Sequence, residues 1–324
     1  MIPSGCSKKC ISRNGQALNG AAADIDIHGY ERRSFLASMA GLVATSTPAN
    51  AISSLESFES PPISTGNFDC LLDLPPVTSG CARLYLCRHG QTENNRLRIV
   101  QGARVDPPIN RNGHEQAQRL GLAVARLLAA SSSSKIEYAV PKYIVHSKLQ
   151  RARETAEELL RTSSQYTTNN GSALKIYGEL PSLGEVDFGS LDGTDEKSFR
   201  KARRDVFASW SVGNIDRTTG GGGESGRQIL ERSVQTLEEL RKIATSSSSS
   251  SSPLLAVSHS TYLRMLLSLV NDSPLIESAL WQIKNGSINI IDVNIEGKRR
   301  LVTSNSNIFG GELVGRMRGK IRGR

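Results

Sequence analysis

The chain has 324 residues, 38% of them hydrophobic, enough for one large domain or two small ones around a buried core. Its formal charge of +9 suggests a nucleic-acid binder until it is located: residues 1–51 hold five basic and three acidic side chains, residues 316–324 hold five basic and none acidic, and the body between is left near +2. A domain surface built for nucleic acid is thereby excluded, and the basic end from Arg316 to Arg324 is read as a solvated tail, with contact to RNA or anionic lipid as its alternative.

The first fifty residues do not read as domain. Glu31-Arg32-Arg33-Ser34-Phe35-Leu36 is followed by a short apolar stretch through Val43 and then by Ala49-Asn50-Ala51, a small-x-small cleavage pattern. This resembles a twin-arginine export signal, and the basic residues before it fit a bipartite plastid presequence ending in a thylakoid-lumen signal. Asp24, Asp26 and Glu31 count against a transit peptide, so an exported or a cytoplasmic protein with an ordinary N-terminus is the alternative. The apolar run is too short to span a membrane. The expected organisation is a presequence at 1–51, a Pro-containing linker at 52–82, a domain at 83–305 and a basic tail at 306–324. Cys87 belongs to an apolar run and is read as a core thiol; Cys70 and Cys81 flank the linker and could pair in an oxidising compartment. The five cysteines have neither zinc-site spacing nor scaffold density.

The domain opens with Arg83-Leu84-Tyr85-Leu86-Cys87, a buried strand that ends in Arg88-His89-Gly90. In open α/β sheets ligands bind at such strand tips. An arginine beside a histidine there suggests a guanidinium fork on a phosphate and an imidazole nitrogen as nucleophile. Apolar spacing predicts a helix over 112–130, then a strand at Tyr143–Ser147 and a helix over 149–161. A strand at Leu174–Tyr177 leads into Gly184-Glu185-Val186-Asp187-Phe188-Gly189, followed by helices over 195–210 and 225–244. Leu254–Val257 is a strand ending in Ser258-His259, with a helix over 261–270 behind it, and strands at 288–293 and 300–303 close the chain. Alternating strands and helices predict an α/β three-layer sandwich: a mainly parallel central sheet, helices on both faces and an antiparallel edge hairpin. The serine runs Ser131–Ser134 and Ser246–Ser252 fall between a helix and the next strand and are read as insertions opposite the chemical rim.

Four strand ends thus bring Arg88, His89, Arg151, Glu185 and His259 to one rim. In order, the blocks Arg88–Asn95, Ser147–Ala156, Leu183–Gly189, Gly223–Ser225 and Val257–His259 resemble those of the histidine phosphatase superfamily, the phosphoglycerate mutase-like proteins, over about residues 83–295. The resemblance implies a phosphomonoester hydrolase acting on a small phosphorylated metabolite, without metal or cofactor. It makes His89 the nucleophile that becomes phosphohistidine, and sets Arg88, Arg151 and His259 around the phosphoryl oxygens. Glu185, near apolar neighbours such as Phe188, becomes the acid that protonates the leaving alcohol and then the base for water. Asn95, Thr92, Gln101 and Gly102 are implied as further substrate contacts. Arg153 is read as surface, His114 and His146 as structural, and Tyr262 and Trp210 as either pocket wall or core. Ser260-Thr261-Tyr262 stands where many members of that family carry glycine. A mutase, a non-catalytic module of the same fold and an RNA-associated protein acting through the tail are the alternatives. Substrate identity and oligomeric state are not legible.

Overall fold

Residues Cys81–Arg88 form β1 inside the sheet, and its side chains alternate between two cores. Leu84 and Leu86 pack into one, Tyr85 and Cys87 into the other, as the two-residue period of a strand requires. β4 (Leu254–Ser258) divides in the same way, with Leu254 and Ala256 on one side and Leu255 and Val257 on the other. A strand buried on both faces is apolar throughout, which is why these segments appear in the sequence as unbroken runs.

The computed structural model describes residues 71–77, 79–133, 138–166, 174–245, 252–294 and 299–306. Its sheet has six strands in the order β3 (Lys175–Glu179), β2 (Tyr143–His146), β4, β1, β5 (Ile288–Asn294) and β6 (Arg299–Ser306). The first four are mutually parallel, while β5 runs antiparallel to both β1 and β6. The parallel sheet with an antiparallel edge hairpin is therefore the architecture present. In register, Arg88 lies opposite Ser258 and His146 opposite Val257, so the C-terminal ends of β1, β2 and β4 reach one rim together.

The helices are α1 (Glu93–Leu97), α2 (Arg111–Ser133), α3 (Gln150–Gln165), α4 (Glu196–Ser211), α5 (Gly226–Thr245) and α6 (Ser260–Val270). α2 and α3 cover one face of the sheet through Leu120, Val124, Ala152 and Leu159; α5 and α6 cover the other through Ile229, Leu240, Leu263 and Leu266. Tyr262 and Trp210, left open between pocket and core, are both buried in the second of these layers, with the Trp210 ring stacked on Phe207. α1 was not expected, because five residues show no period; it is nucleated by a capping box in which Thr92 and Asn95 exchange side-chain-to-backbone hydrogen bonds. α2 runs on through Ser131–Ser133, where the Ser132 and Ser133 hydroxyls donate back to the carbonyls of Leu128 and Ala129, so part of the first serine run is helix.

The domain also begins earlier than residue 83. β1 starts at Cys81, Leu71 is buried against the α2–α3 face, and Arg83 donates to the Pro75 carbonyl at 2.8 Å. The segments expected to be a presequence (1–51) and a linker (as far as Cys70), together with Ser134, Ser246–Ser251 and residues 307–324, lie outside the described residues. Among the described residues no helix is long and apolar enough to cross a membrane.

Candidate active site

His89 follows β1 and is almost wholly buried. Its backbone N–H donates to the Ser258 carbonyl at 2.9 Å, and its carbonyl accepts from Asn285 Nδ2 at 3.1 Å, which fixes it between β4 and the loop before β5. Gly90 brings the chain over the start of α2 so closely that a Cβ there would stand 2.5 Å from the Gly113 carbonyl oxygen. Its N–H donates to Thr155 Oγ1, whose hydroxyl in turn donates to the Arg151 carbonyl. The first signature block and the second arginine block are thereby joined through one threonine.

The tautomers of the two rim histidines follow from their partners. His89 Nδ1 lies 2.7 Å from the Gly90 carbonyl oxygen, which can only accept, so Nδ1 carries the proton and Nε2 carries the lone pair. Arg151 Nε lies 3.2 Å from His259 Nδ1, and a guanidinium can only donate, so on His259 the proton is on Nε2. That Nε2 is buried and has no hydrogen-bond partner among the described residues. The rings stand 5.1 Å apart between centroids. One histidine therefore offers a nucleophile and the other a donor. Burial above all, then the charge of Arg151, hold both well below the ordinary value of 6.5, with Arg88 adding to the effect, so both rings stay neutral.

Arg88 donates through Nη1 to the Ile283 carbonyl at 2.7 Å, while its Nε is buried with no partner among the described residues. Burial lowers its pKa to about 10, with Glu185 opposing and Arg151 adding to the shift, and it remains charged. Arg151 is fully buried, and its Nε–H, Nη1 and Nη2 reach His259, the carbonyls of Val105, Gln101 and Gly102, and Asp106 Oδ1. It therefore orients His259. The longest of these contacts, 3.3 Å to Asp106 and 3.4 Å to Gln101, are the ones an incoming anion would most easily replace.

Glu185 is buried, and the backbone explains how it is held. His259, at the N-cap of α6, turns its ring to Arg151 and leaves the helix without a side-chain cap of its own. Glu185 supplies one instead: Oε1 accepts from Tyr262 N at 2.8 Å and from Val186 N at 3.0 Å, and Oε2 accepts from Thr261 N at 3.2 Å. A carboxylate at a helix N-terminus satisfies orphan N–H groups and meets the positive end of the dipole. Oε2, with one long bond, is the freer oxygen. The loop carrying Glu185 is braced by Arg232, which donates to the carbonyls of Ser182 and Gly184, pairs with Glu224 and lies 4.1 Å from the centre of the Tyr262 ring.

Arg88, His89, Asn95, Gln101, Glu185 and Asn285 line one cavity of about 300 Å³. Asn95 Oδ1 accepts from Thr92 N and Asn285 Nδ2, so its NH₂ is the group left for a ligand. Gln101 Oε1 accepts from Thr92 Oγ1, and its buried Nε2 has no partner among the described residues. Thr92 and Gly102, implied as substrate contacts, stand behind the cavity. Thr92 is a buried N-cap that positions Asn95 and Gln101, and the Gly102 N–H is already given to Asp192 Oδ1 at 2.7 Å. His146 is buried with Nδ1 on the Ser147 carbonyl, His114 lies on α2 beside Glu158, and Arg153 is half-exposed beside Glu157. Sequence reasoning missed Asn285, Arg232 and the arginines Arg98, Arg203 and Arg264. No motif marks them; only the density of basic residues on α4 would have drawn notice, and of these residues it holds Arg203 alone.

Two neutral histidines of opposite tautomer, two arginines and a carboxylate meet at one rim, with Arg88, His89 and Glu185 lining the cavity and the wholly buried Arg151 and His259 outside its lining, an arrangement chemically suited to phosphoryl groups. The family description Histidine phosphatase superfamily (branch 1) matches residues 84–307, and the chain belongs to that superfamily. Among characterised relatives, the metal-independent phosphoserine phosphatase of Arabidopsis thaliana is 25% identical over 232 residues, covering 72% of this chain and 84% of the relative. A broad-specificity phosphatase of Saccharomyces cerevisiae is 28% identical over 238 residues, covering 72% and 90%. The solved structure of a mycobacterial glucosyl-3-phosphoglycerate phosphatase complexed with VO₃ shares the fold with a TM-score of 0.54 at 20% identity, over 70% of this chain and all of that one.

Proposed function

We propose that the protein is a metal-independent phosphomonoester hydrolase that turns over a small phosphorylated metabolite through a phosphohistidine on His89. The observation that carries this reading is the His89 Nδ1–Gly90 hydrogen bond, which leaves the Nε2 lone pair available beside the buried donors of Arg88, His259 and Gln101. In the first step Nε2 attacks phosphorus, the ester P–O bond breaks, and Glu185 in its acid form gives its proton to the departing alkoxide. In the second, Glu185 takes a proton from water, the hydroxide attacks phosphorus, and the N–P bond breaks to release phosphate and neutral His89. Arg88, the His259 Nε2–H, Gln101 Nε2 and the Asn95 amide hold the phosphoryl oxygens; Arg151, expected among them, is wholly buried outside the cavity lining, sets the His259 ring, and reaches an oxygen only by giving up its long contacts to Asp106 and Gln101.

Arginines and neutral donors supply the charge stabilisation a metal would otherwise give. Among the described residues no three His, Cys, Asp or Glu side chains come together as a metal site would need. The phosphatase names of the Arabidopsis and yeast relatives support hydrolysis, and the first of them supports metal independence. The test is a rapid quench with ³²P-labelled phosphomonoester in EDTA: acid-labile, alkali-stable label on His89 is the expected result. Label on another residue, or activity that returns only with Mg²⁺, overturns the reading. We propose further that residues 1–51 direct export, into a plastid compartment on the bipartite reading of Arg32-Arg33 and Ala49-Asn50-Ala51. N-terminal sequencing of the natural protein should then begin near Ile52.

A further inference from the structure

Behind the rim, the stretch Gln101–Val105 runs between two opposite charges. Its N–H groups at Gly102 and Arg104 donate to the two oxygens of Asp192, at 2.7 and 3.1 Å. Its carbonyls at Val105, Gly102 and Gln101 accept from Arg151, at 2.7, 3.1 and 3.4 Å. Arg151 in turn gives its Nε–H to His259 Nδ1, the bond that leaves the His259 proton on Nε2. Asp192 is thus linked to the His259 donor by one strip of backbone and one guanidinium.

The fit is close: a Cβ at Gly102 would overlap Asp192 Oδ1, so the carboxylate lies flat against the backbone. Fastening the strip does not require that carboxylate. Backbone bonds already join the two segments, from Val100 N to the Thr194 carbonyl at 2.9 Å, Gly193 N to Val100 at 3.0 Å and Ala103 N to Val186 at 3.2 Å. The Arg104 side chain adds bonds to Asp187 and the Gly222 carbonyl. Nor is the place favourable for an anion. Burial above all raises the Asp192 pKa, the bonds from Arg104 and Gly102 oppose the rise, and Asp187 and Glu185 add to it. What the carboxylate supplies is charge. Burial lowers the Arg151 pKa, and Glu185, Asp106 and Asp192, in that order, oppose it. Glu185 changes its charge during the proposed reaction, and Asp106, part-exposed, makes one of the long contacts that an arriving phosphoryl group replaces. Asp192 stands behind the strip, outside the cavity lining, and keeps its place throughout.

We propose that Asp192 is a positioning residue: through the backbone of Gln101–Val105 it sets the Arg151 guanidinium, and through Arg151 the Nε2–H tautomer of His259. Peptide groups whose N–H ends meet a carboxylate and whose carbonyls meet a guanidinium are polarised in one sense, which strengthens both sets of bonds. The kinetic part rests on the hydrolase reading; the tautomer part stands without it.

The experiment joins a spectroscopic and a kinetic readout on the purified full chain. With ¹⁵N-labelled histidine, long-range ¹H–¹⁵N spectra at pH 7.5 report each ring's tautomer, and the His259 signals are the ones missing from His259→Gln. The wild type should show His259 as Nε2–H alone, and Nδ1–H there overturns the proposal before any variant is made. Asp192→Asn keeps the size and removes the charge, so His259 should average between tautomers. Asp192→Glu, which keeps the charge, should stay nearer the wild type. Arg104→Gln removes the side-chain ties of the same strip but leaves its N–H on Asp192, so the tautomer should hold. With an alkyl phosphate, Asp192→Asn should lose about 10–100-fold, the worth of a hydrogen bond to a charged group, and lose it in kcat with KM little changed, because Arg88 and Asn95 still meet the bound ester. An unchanged His259 tautomer in Asp192→Asn, or an equal change in Arg104→Gln, overturns the proposal and leaves Asp192 a fastener of the loop. If no phosphohistidine forms on His89 but the tautomer follows Asp192, the positioning stands and the catalytic reading falls.

Discussion

Arg83 and Arg88 stand on the same strand and meet opposite conditions. Arg83 is buried, gives Nε and Nη2 to the two oxygens of Asp292 at 2.8 and 2.9 Å, and gives Nη1 to the Pro75 carbonyl. Burial alone would lower its pKa, yet Asp292 outweighs burial and the net direction is upward. Arg88, at the rim, keeps a buried Nε with no partner among the described residues, lies near Arg151 and Arg264, and is lowered to about 10 by burial first. The first arginine is neutralised within the fold and holds β1 to β5. The second is left under-compensated, which is the condition of a group arranged to meet something the fold does not contain.

The largest effect should come from removing the under-compensated member. Arg88→Met should lower kcat/KM for any phosphomonoester roughly 10³-fold or more, as loss of a transition-state arginine does. The urea midpoint should meanwhile stay level or rise, because an unneutralised buried charge has gone. Arg83→Met should do the reverse, with an expected loss of about 3–5 kcal/mol from stranding Asp292 and near-normal activity in the folded fraction. The double change Arg83→Met with Asp292→Leu should recover most of that stability. Equal stability losses at the two positions would show both arginines to be structural and would dissolve the contrast.

Glu185→Gln sharpens the comparison at the carboxylate. Asp292 serves an ion pair, whereas Glu185 caps α6 and faces the cavity. Glutamine cannot carry the proton, so hydrolysis of alkyl phosphates should fall on the order of 10²–10⁴-fold. With p-nitrophenyl phosphate the phenolate leaves unaided, so phosphorylation of His89 should be spared and labelled phosphoenzyme should accumulate. Equal losses of the phosphorylation step on both substrates would remove Glu185 from the acid's role. Asp187, held by Arg104 at 2.8 Å outside the cavity lining, is poorly placed to replace it.

The smallest effect concerns pH. His89 and His259 are neutral in the fold and titrate near the ordinary 6.5 when unfolded, so below that value the unfolded chain binds more protons and stability falls as pH falls. Each histidine should contribute a loss of up to about 1.4 kcal/mol by one pH unit below 6.5. Urea midpoints at pH 7.5 and 5.5 measure it, and His259→Gln should show a distinctly smaller drop. An unchanged drop would mean that other groups set the acid limb.

Much of the fold was legible in the chain because strands and helices are encoded by neighbours. The apolar runs at Leu84–Cys87 and Leu254–Val257 and the helical spacing around Leu120, Val124 and Leu127 declare their elements without reference to the rest of the chain. The order of those elements was enough to put Arg88, His89, Arg151, Glu185 and His259 at one end of a parallel sheet, since parallel strands tie their C-terminal tips together. What only the tertiary structure decided was the state of each group there. The Gly90 carbonyl is a neighbour of His89, but its use to fix the tautomer depends on the turn over Gly113; Arg151 meets His259 across 108 residues, and Glu185 meets Tyr262 N across 77. Protonation, hydrogen-bond commitment and burial belong to contacts between segments. Residue type and spacing therefore announced the rim, while the tautomers, the withdrawal of Thr92 and Gly102 behind it and the presence of Arg98, Arg203 and Arg264 were settled only when α4, α6 and the Asn285 loop closed around the same cavity.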